Sequence, residues 1–283
     1  MQIQKVGDIS HKEFMREFHD PGIPVVFKNA SKAWKANGLF TPDYFREKFG
    51  DRKTGVNGKD FTMTELLDLI ENSTPETPAP YPCIYNVAHQ LPEIEELISP
   101  LGMNYAVPNW FESSIFPKKL IGSETELFLG GPGGKYQTLH IDFYHTNAWV
   151  TQLYGDKNFI IFPRGQDKYL YPNAKNKWIS DVNWHSPDYE KHPEFKHATP
   201  VIVTVKQGET IFIPEGLWHT AEALSTSISI IFDQINAKNF DSWRNDVWEE
   251  KKEGNKMKAL AIFMYVSMAK KYCQARDLFR VKK

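Results

Sequence analysis

The chain has 283 residues, of which 41% are hydrophobic and 14% aromatic, and this supplies enough apolar material for a sizeable folded core. Its 34 basic and 35 acidic residues give a net charge of −1, so no overall field favours nucleic acid or an anionic membrane. Two cysteines, Cys83 and Cys273, are too few for a disulfide framework. Because we find no signal-peptide pattern and no membrane-helix pattern, we expect a cytoplasmic protein with one catalytic domain and appended helices.

Residues 1–119 predict a mixed α/β scaffold that packs on the segment after it. Thr41 and Thr62 each precede a helical pattern and have the side chain of a helix cap, because a hydroxyl accepts hydrogen bonds from the free N–H groups of the first turn. Residues 23–27 and 83–87 predict strands. This part should support the functional site rather than contain it, apart from one tyrosine discussed below.

Residues 120–239 predict one strand after another, with turn residues between them. Since no helices alternate with these strands, an antiparallel barrel or jelly roll is favoured over a parallel sheet. Residues 164–200 are polar and aromatic and too long for a hairpin loop, so we expect them to form a substrate-binding lid. The expected fold class is therefore mainly β, with flanking helices at both ends.

The stretch of residues 137–143 is predicted to be an extended strand that carries metal ligands. Side chains two positions apart in a strand share a face, so Thr138, His140 and Asp142 should project together. A second histidine from a distant strand would complete a face of two histidines and one carboxylate, which leaves open positions around non-haem Fe(II). His219 is the best candidate for that third ligand. A His-x-Asp pair by itself is equally consistent with two polar side chains that have hydrogen-bond partners and bind no metal.

Residues 240–283 change to a helical pattern, and residues 257–272 form a helix with more apolar positions than one buried face requires. This helix either packs on the barrel or pairs with its copy in a homodimer. We favour the homodimer.

A set of motifs in fixed order gives the chain a resemblance to a known family. The motifs are Gly133-Gly134, His140-Ile141-Asp142, Asn147-Ala148-Trp149, Gly155-Asp156-Lys157, Phe162-Pro163, Gly208-Glu209-Thr210-Ile211-Phe212-Ile213-Pro214 and Trp218-His219. Together they resemble the JmjC and cupin-like oxygenases, which depend on Fe(II) and 2-oxoglutarate and have a double-stranded β-helix of the cupin or jelly-roll type. The likeness is to the hydroxylase branch, related to the asparaginyl hydroxylase of hypoxia-inducible factor and to the jumonji lysyl hydroxylase.

The resemblance implies roles for particular residues. His140, Asp142 and His219 match the three iron ligands and hence the catalytic centre of the family. Lys157 matches the lysine that pairs with the distal carboxylate of 2-oxoglutarate, and Tyr85 resembles the tyrosine that reaches the same carboxylate from an earlier strand.

Two further residues are implied as contacts to the cosubstrate, Asn147 and Thr138. Thr138 lies two positions before His140, whereas many relatives place Ser or Thr three positions before it. A second departure is Ile231, which stands where some lysyl-hydroxylase relatives carry threonine. Ser227, Ser229 and Asp233 share a face on that strand, so one of them is expected to substitute for the threonine.

The implied activity uses Fe(II), 2-oxoglutarate and O2 and hydroxylates a protein side chain or a small molecule, with succinate and CO2 as co-products. Demethylation of an N-methyl group is the same chemistry with a different outcome. The alternative is a non-oxygenase cupin that binds a metal or a sugar. That alternative explains the metal ligands equally well but does not explain Lys157.

Overall fold

The computed structural model describes residues 2–116 and 124–280. Its strands are β1 (Gln4–Val6), β2 (Val25–Phe27), β3 (Lys53–Val56), β4 (Lys59–Thr62), β5 (Cys83–Asn86), β6 (Glu126–Gly130), β7 (Asn147–Tyr154), β8 (Lys157–Ile161), β9 (Val201–Val205), β10 (Thr210–Ile213), β11 (His219–Ala223) and β12 (Ser227–Gln234). Its α-helices are α1 (His11–Phe14), α2 (Pro42–Phe49), α3 (Met63–Glu71), α4 (Val87–Gln90), α5 (Asp167–Leu170), α6 (Phe240–Gly254) and α7 (Lys256–Arg280). Short helical segments of other types occur at Met15–His19, Pro92–Ile98, Trp110–Glu112, Phe143–His145 and Pro193–His197.

The strands form two main sheets. The large sheet has seven strands in the order β1-β2-β10-β7-β12-β6-β5, and the small sheet has three in the order β11-β8-β9. Their strand pairs are antiparallel except for β1 with β2. Val150 and Ile211 of the large sheet pack against Phe159 and Val203 of the small sheet in one buried cluster. Two antiparallel sheets packed face to face confirm the predicted mainly β fold of the jelly-roll type.

The outer face of the large sheet is covered by the helices that precede residue 72. Phe14, Phe45 and Leu66 pack against Trp149 and Phe212 in the largest buried cluster. Burying each of these side chains contributes about 1.5–3 kcal/mol relative to exposure. The sheet is thus apolar on both faces, which explains why β7 is almost completely buried along its length.

The two predicted helix caps are confirmed. The Thr41 hydroxyl accepts a hydrogen bond from the backbone N–H of Tyr44. The Thr62 hydroxyl accepts one from the backbone N–H of Glu65, and the Glu65 carboxylate accepts one from the backbone N–H of Thr62. Each cap stabilises its helix by about 1 kcal/mol.

The amino-terminal part also supplies strands to the large sheet. β1 and β2 form one edge of that sheet and β5 forms the other, so the region before residue 120 is continuous with the rest of the fold. The predicted division at residues 119 and 120 lies outside the described residues. The three-part division of the chain therefore stays a prediction.

Residues 164–200 cover the outer face of the small sheet. Leu170, Val182 and Phe195 of this segment pack with Phe162 and Trp218. Most of the segment is therefore a cover on the side of the small sheet away from the large sheet, not a lid over the space between the sheets.

The carboxyl-terminal helices α6 and α7 pack on each other and on the segment around Trp110. Val266 and Cys273 of α7 are buried there with Trp243 of α6. The exposed apolar residues of α7 include Met257, Leu260, Met264, Met268 and Tyr272. No helix in the described ranges is both long enough and apolar enough to cross a membrane.

Candidate metal centre

The segment around His140 is extended but is not a regular strand. The backbone of His140 exchanges hydrogen bonds with that of His219, at N–O distances of 3.0 and 2.7 Å. The N–H of Ile141 donates to the carbonyl of Trp178 at 2.9 Å. The segment thus lies beside β11 at the edge of the small sheet. This pairing places two residues that are far apart in the sequence directly opposite each other.

The structure brings His140, Asp142 and His219 together. One ligand atom of each lies within 4.8 Å of the others, and no other such group of His, Cys, Asp and Glu occurs among residues 2–116 and 124–280. The two imidazole centroids are 4.3 Å apart, and Nε2 of His219 is 3.8 Å from Oδ1 of Asp142. Two imidazoles and one carboxylate on one side are a donor set that suits Fe(II) and leaves positions for other ligands.

The hydrogen bonds of the two histidines favour metal binding through Nε2. Nδ1 of His140 is 3.1 Å from the carbonyl oxygen of Thr138, and Nδ1 of His219 is 2.9 Å from that of Leu217. Because a carbonyl oxygen only accepts, each Nδ1 carries the proton and each Nε2 keeps its lone pair. Burial, together with the neighbouring His219, lowers the pKa of His140 to about 3, which keeps its imidazole neutral. These residues fit a metal ion.

Asp142 requires a positive neighbour in this environment. Burial raises its pKa, and His219 opposes the shift. A bound cation would favour the ionised carboxylate, because opposite charge offsets the cost of desolvation.

A cavity of about 490 Å³ lies between the sheets and includes the three residues of this cluster. Alternation along the strands decides which other side chains reach it, since alternate residues point to opposite faces. The lining residues from the strands include Glu126 and Phe128 of β6, Ala148 and Val150 of β7, Lys157 and Phe159 of β8, and Ile231 and Asp233 of β12.

Lys157 lines the cavity with only 1% of its surface exposed. Its Nζ donates to Oγ of Ser229 at 2.8 Å, and Ser229 donates to Oε1 of Gln152 at 2.8 Å. No carboxylate among the described residues pairs with this ammonium. Burial accordingly lowers the pKa of Lys157 to about 7. A buried ammonium that is bound only to a hydroxyl is a site for an anion.

Tyr85 does not reach the cavity, so the prediction that it contacts the cosubstrate is wrong. Its neighbour Ile84 lines the cavity, and alternation in β5 turns Tyr85 to the opposite face. There its hydroxyl donates to the carbonyl of Arg52 at 3.3 Å. The tyrosine beside Lys157 is Tyr81, whose ring centroid is 5.6 Å from Nζ.

Asn147 and Thr138 are also placed away from the cavity. Ala148 lines the cavity, so Asn147 faces the other side of β7, where its Oδ1 accepts from the backbone N–H of Glu215 at 3.0 Å. Thr138 contributes its carbonyl oxygen to His140, and its side chain does not line the cavity because the backbone bends at Gln137. The predictions that these two side chains contact the cosubstrate are therefore wrong.

The aromatic wall of the cavity comes from other places than the 164–200 segment. Four aromatic residues of that segment are not among the lining residues: Tyr169, Tyr171, Trp178 and Trp184. Tyr136 instead stacks on His140 at 4.7 Å, and Phe111 and Trp243 close the cavity from the carboxyl-terminal side. Because the backbone bends at Gln137, between Tyr136 and His140, the alternation of a regular strand could not have identified Tyr136.

Acidic side chains form another part of the wall that the motifs did not indicate. Glu124, Glu126 and Asp233 line the cavity. Burial and the neighbouring Glu124 raise the pKa of Glu126 to about 7. Burial also raises the pKa of Asp233, and Asp142 and Glu126 add to this shift, while a hydrogen bond from Thr146 opposes it. Lys157 is the one lysine or arginine among the lining residues in the described part of the chain.

The fold and the donor set define a jelly-roll protein with one group of residues, His140, Asp142 and His219, that can hold a metal ion. The chain belongs to the family of cupin-like domains, whose model matches residues 56–237, more than half of its length.

Several curated proteins are similar to the chain. It is 24% identical over 245 residues to the arginine-specific demethylase JMJ22 of Arabidopsis thaliana, covering 84% of this chain and 47% of that protein. It is 24% identical over 262 residues to the bifunctional arginine demethylase and lysyl-hydroxylase psr-1 of Caenorhabditis elegans, covering 84% and 62%. It is also 24% identical over 264 residues to the 2-oxoglutarate and iron-dependent oxygenase JMJD4 of Mus musculus, covering 84% and 61%. The chain thus spans about half to three-fifths of the length of these relatives.

Proposed function

We propose that this chain is an Fe(II)- and 2-oxoglutarate-dependent dioxygenase that hydroxylates a protein side chain or a small molecule. One observation carries the proposal: a group of two histidines and one carboxylate shares a cavity with a buried lysine that has no carboxylate partner among the described residues. When bound, iron and 2-oxoglutarate would supply the activation of O2, the oxidation of a C–H bond and the release of succinate and CO2. The protein supplies the ligands, the anion site and a cavity that limits the entry of water.

The residues have distinct tasks in this proposal. His140 and His219 present Nε2 to Fe(II) because backbone carbonyls hold their Nδ1 protons, and Asp142 supplies the third ligand. Lys157 binds the distal carboxylate of 2-oxoglutarate. Tyr81 takes the task that we first gave to Tyr85, because it is the tyrosine that lines the cavity beside Lys157.

The alternative is a non-oxygenase cupin that binds a metal or a sugar. A structural metal site generally has a closed shell of four protein ligands, whereas three ligand residues meet here among the described residues. A neutral sugar would not offset the cost of burying Lys157. Both observations support the oxygenase over this alternative.

The acidic wall favours a basic group as the part of the substrate that enters the cavity. Glu126 and Asp233 face this space, and burial raises the pKa of each. A positive group would favour the ionised form of both carboxyls and so recover part of the cost of their burial. The names of the relatives, which mention arginine demethylases and a lysyl-hydroxylase, agree with this class. We therefore propose a lysyl or arginyl side chain as substrate, with hydroxylation or N-demethylation as the outcome.

The first experiment is an anaerobic titration of the apoprotein with Fe(II) and then with 2-oxoglutarate. We expect a visible charge-transfer band when the keto acid binds the metal, followed by bleaching and succinate formation when air is admitted. Peptides containing lysine or arginine should raise the rate of succinate formation, and matched peptides with glutamine in those positions should not. Iron binding without a band would favour the non-oxygenase cupin.

We also propose that the protein is a cytoplasmic homodimer. One side of α7 exposes a run of apolar residues at helical spacing: Met257, Leu260, Met264, Met268 and Tyr272. The corresponding face of a second copy could cover this run. Cys83 and Cys273 are free thiols, which fits a reducing compartment.

A further inference from the structure

The turn directly after Asp142 has an unusual backbone. Tyr144 and His145 have φ angles of 56° and 52°, in the left-handed region that residues with a Cβ atom seldom adopt. Such a turn persists only when surrounding contacts hold it. Because Asp142 leads directly into this turn, the turn fixes the backbone from which the Asp142 side chain projects.

One face of α6 supplies the contacts that hold the turn. The hydroxyl of Tyr144 donates to the carboxylate of Glu250. Nδ1 of His145 donates to Oδ2 of Asp246 at 2.5 Å, and the carbonyl of His145 accepts from Nδ2 of Asn239 at 3.0 Å. The spacing of Asn239, which precedes α6, and of Asp246 and Glu250 within it, is that of one helix face. The turn is therefore fixed along one side of this helix.

Asp246 also holds the chain on the other side of the metal ligands. Its Oδ1 accepts from Nζ of Lys177 at 2.6 Å. Lys177 precedes Trp178, whose carbonyl accepts from the N–H of Ile141, the residue between His140 and Asp142. The carboxylate of Asp246 is only 8% exposed and is paired with both partners. One buried carboxylate thus connects two segments that adjoin the metal ligands.

We propose that Asp246 is a positioning residue of the metal centre, which holds the turn at His145 and the segment at Lys177 so that the carboxylate of Asp142 points at the two histidines. This inference rests on the proposed function, because it presumes that Asp142 is a metal ligand. Asp246 itself is not among the grouped ligand residues. Its effect on the metal is exerted through the backbone of the turn.

The test measures the affinity of the full-length apoprotein for Co(II), used as a spectroscopic substitute for Fe(II). We expect Asp246→Ala to weaken Co(II) binding about 10-fold or more, as is typical when a group that orients a metal ligand is removed. The visible band of bound Co(II) should also change, since the carboxylate direction changes. Asp246→Asn keeps an oxygen that accepts from His145, so its affinity should lie between those of Asp246→Ala and the parent.

The matched control is Glu249→Ala, which removes a carboxylate from the same helix but one that pairs only with Lys252. We expect its Co(II) affinity and band to equal those of the parent.

Each outcome decides the inference. Equal Co(II) affinity and equal bands in Asp246→Ala and the parent would overturn it while leaving the proposed function intact. Failure of the parent to bind Co(II) or Fe(II) would overturn both. If Asp246→Ala does not fold, Asp246→Asn and Lys177→Ala decide: affinities equal to that of Glu249→Ala refute the positioning role, and weaker binding supports it.

Discussion

Replacement of Lys157 by methionine tests the anion site most directly. The change removes the ammonium but keeps a side chain of similar length in the buried position. A charge-assisted hydrogen bond contributes about 1.5–3 kcal/mol, which corresponds to a loss of about 10- to 100-fold in the affinity for 2-oxoglutarate. Binding of Fe(II) should be unchanged, because His140, Asp142 and His219 remain.

The pH dependence gives the sharper result. Since the pKa of Lys157 is about 7 in the free protein, the ammonium is increasingly lost above that pH. A bound carboxylate favours the protonated form, so the parent should lose affinity for 2-oxoglutarate as the pH rises above about 7. The affinity of Lys157→Met should not depend on pH in this range.

The same residue affects stability in the absence of ligand. Its pKa is lower in the folded protein than the 10.5 of an exposed lysine, so the unfolded chain binds more protons between about pH 7 and 10.5. Stability should therefore rise with pH over this window. The fall of the Lys157 pKa from 10.5 to about 7 lowers the free energy of unfolding by about 5 kcal/mol when the protein is at pH 7 or below. Lys157→Met should remove this cost and raise the melting temperature at neutral pH.

The assay is an anaerobic titration with 2-oxoglutarate in the presence of Fe(II), followed by the charge-transfer band at several pH values. The control is Lys206→Met, because Lys206 is an exposed residue after β9. The reasoning is refuted if Lys157→Met binds 2-oxoglutarate as tightly as the control, or if both lose affinity equally with rising pH.

Three further predictions follow from the site and from α7. Asp142→Ala should abolish iron-dependent succinate formation and weaken Fe(II) binding, since it removes one of the three proposed ligands. Undiminished succinate formation would contradict the assignment of Asp142 as a metal ligand. Tyr81→Phe should raise the Kd for 2-oxoglutarate about 3- to 10-fold, as expected for one lost hydrogen bond, whereas Tyr85→Phe should leave it unchanged. A higher Kd in Tyr85→Phe but not in Tyr81→Phe would show that Tyr85 contacts the cosubstrate. Met264→Glu with Met268→Glu should convert a dimer to a monomer in analytical ultracentrifugation, and a monomeric parent would exclude the homodimer.

Substitution of Asp233 tests the substrate class. Asp233→Asn keeps the shape of the side chain but removes its negative charge, so the KM for a lysine- or arginine-containing peptide should rise about 10-fold. The Kd for 2-oxoglutarate should not change, because Lys157 remains. An unchanged peptide KM would remove the support that the acidic wall gives to a basic substrate.

The sequence by itself determined the fold class and identified the three residues that the structure brings together as candidate metal ligands. Strand patterns without alternating helices indicated antiparallel sheets, and the spacing of His140 and Asp142 placed two donors on one side of an extended segment. Lys157 was also identified from the sequence, because its place in the ordered motifs matches the lysine that pairs with 2-oxoglutarate in the family that the chain resembles. These signals are local or depend on order along the chain, so they can be read without coordinates.

Only the tertiary structure decided which face of each strand meets the cavity. Tyr85 and Asn147 have polar groups that could bind the cosubstrate. However, neighbouring residues in a strand point to opposite faces, and the sequence did not indicate which face meets the cavity. The role of α6 was equally hidden, because His145 and Asp246 are 101 positions apart and nothing local connects them. Contacts of this kind arise from how the elements pack, which the pattern of a single segment does not contain.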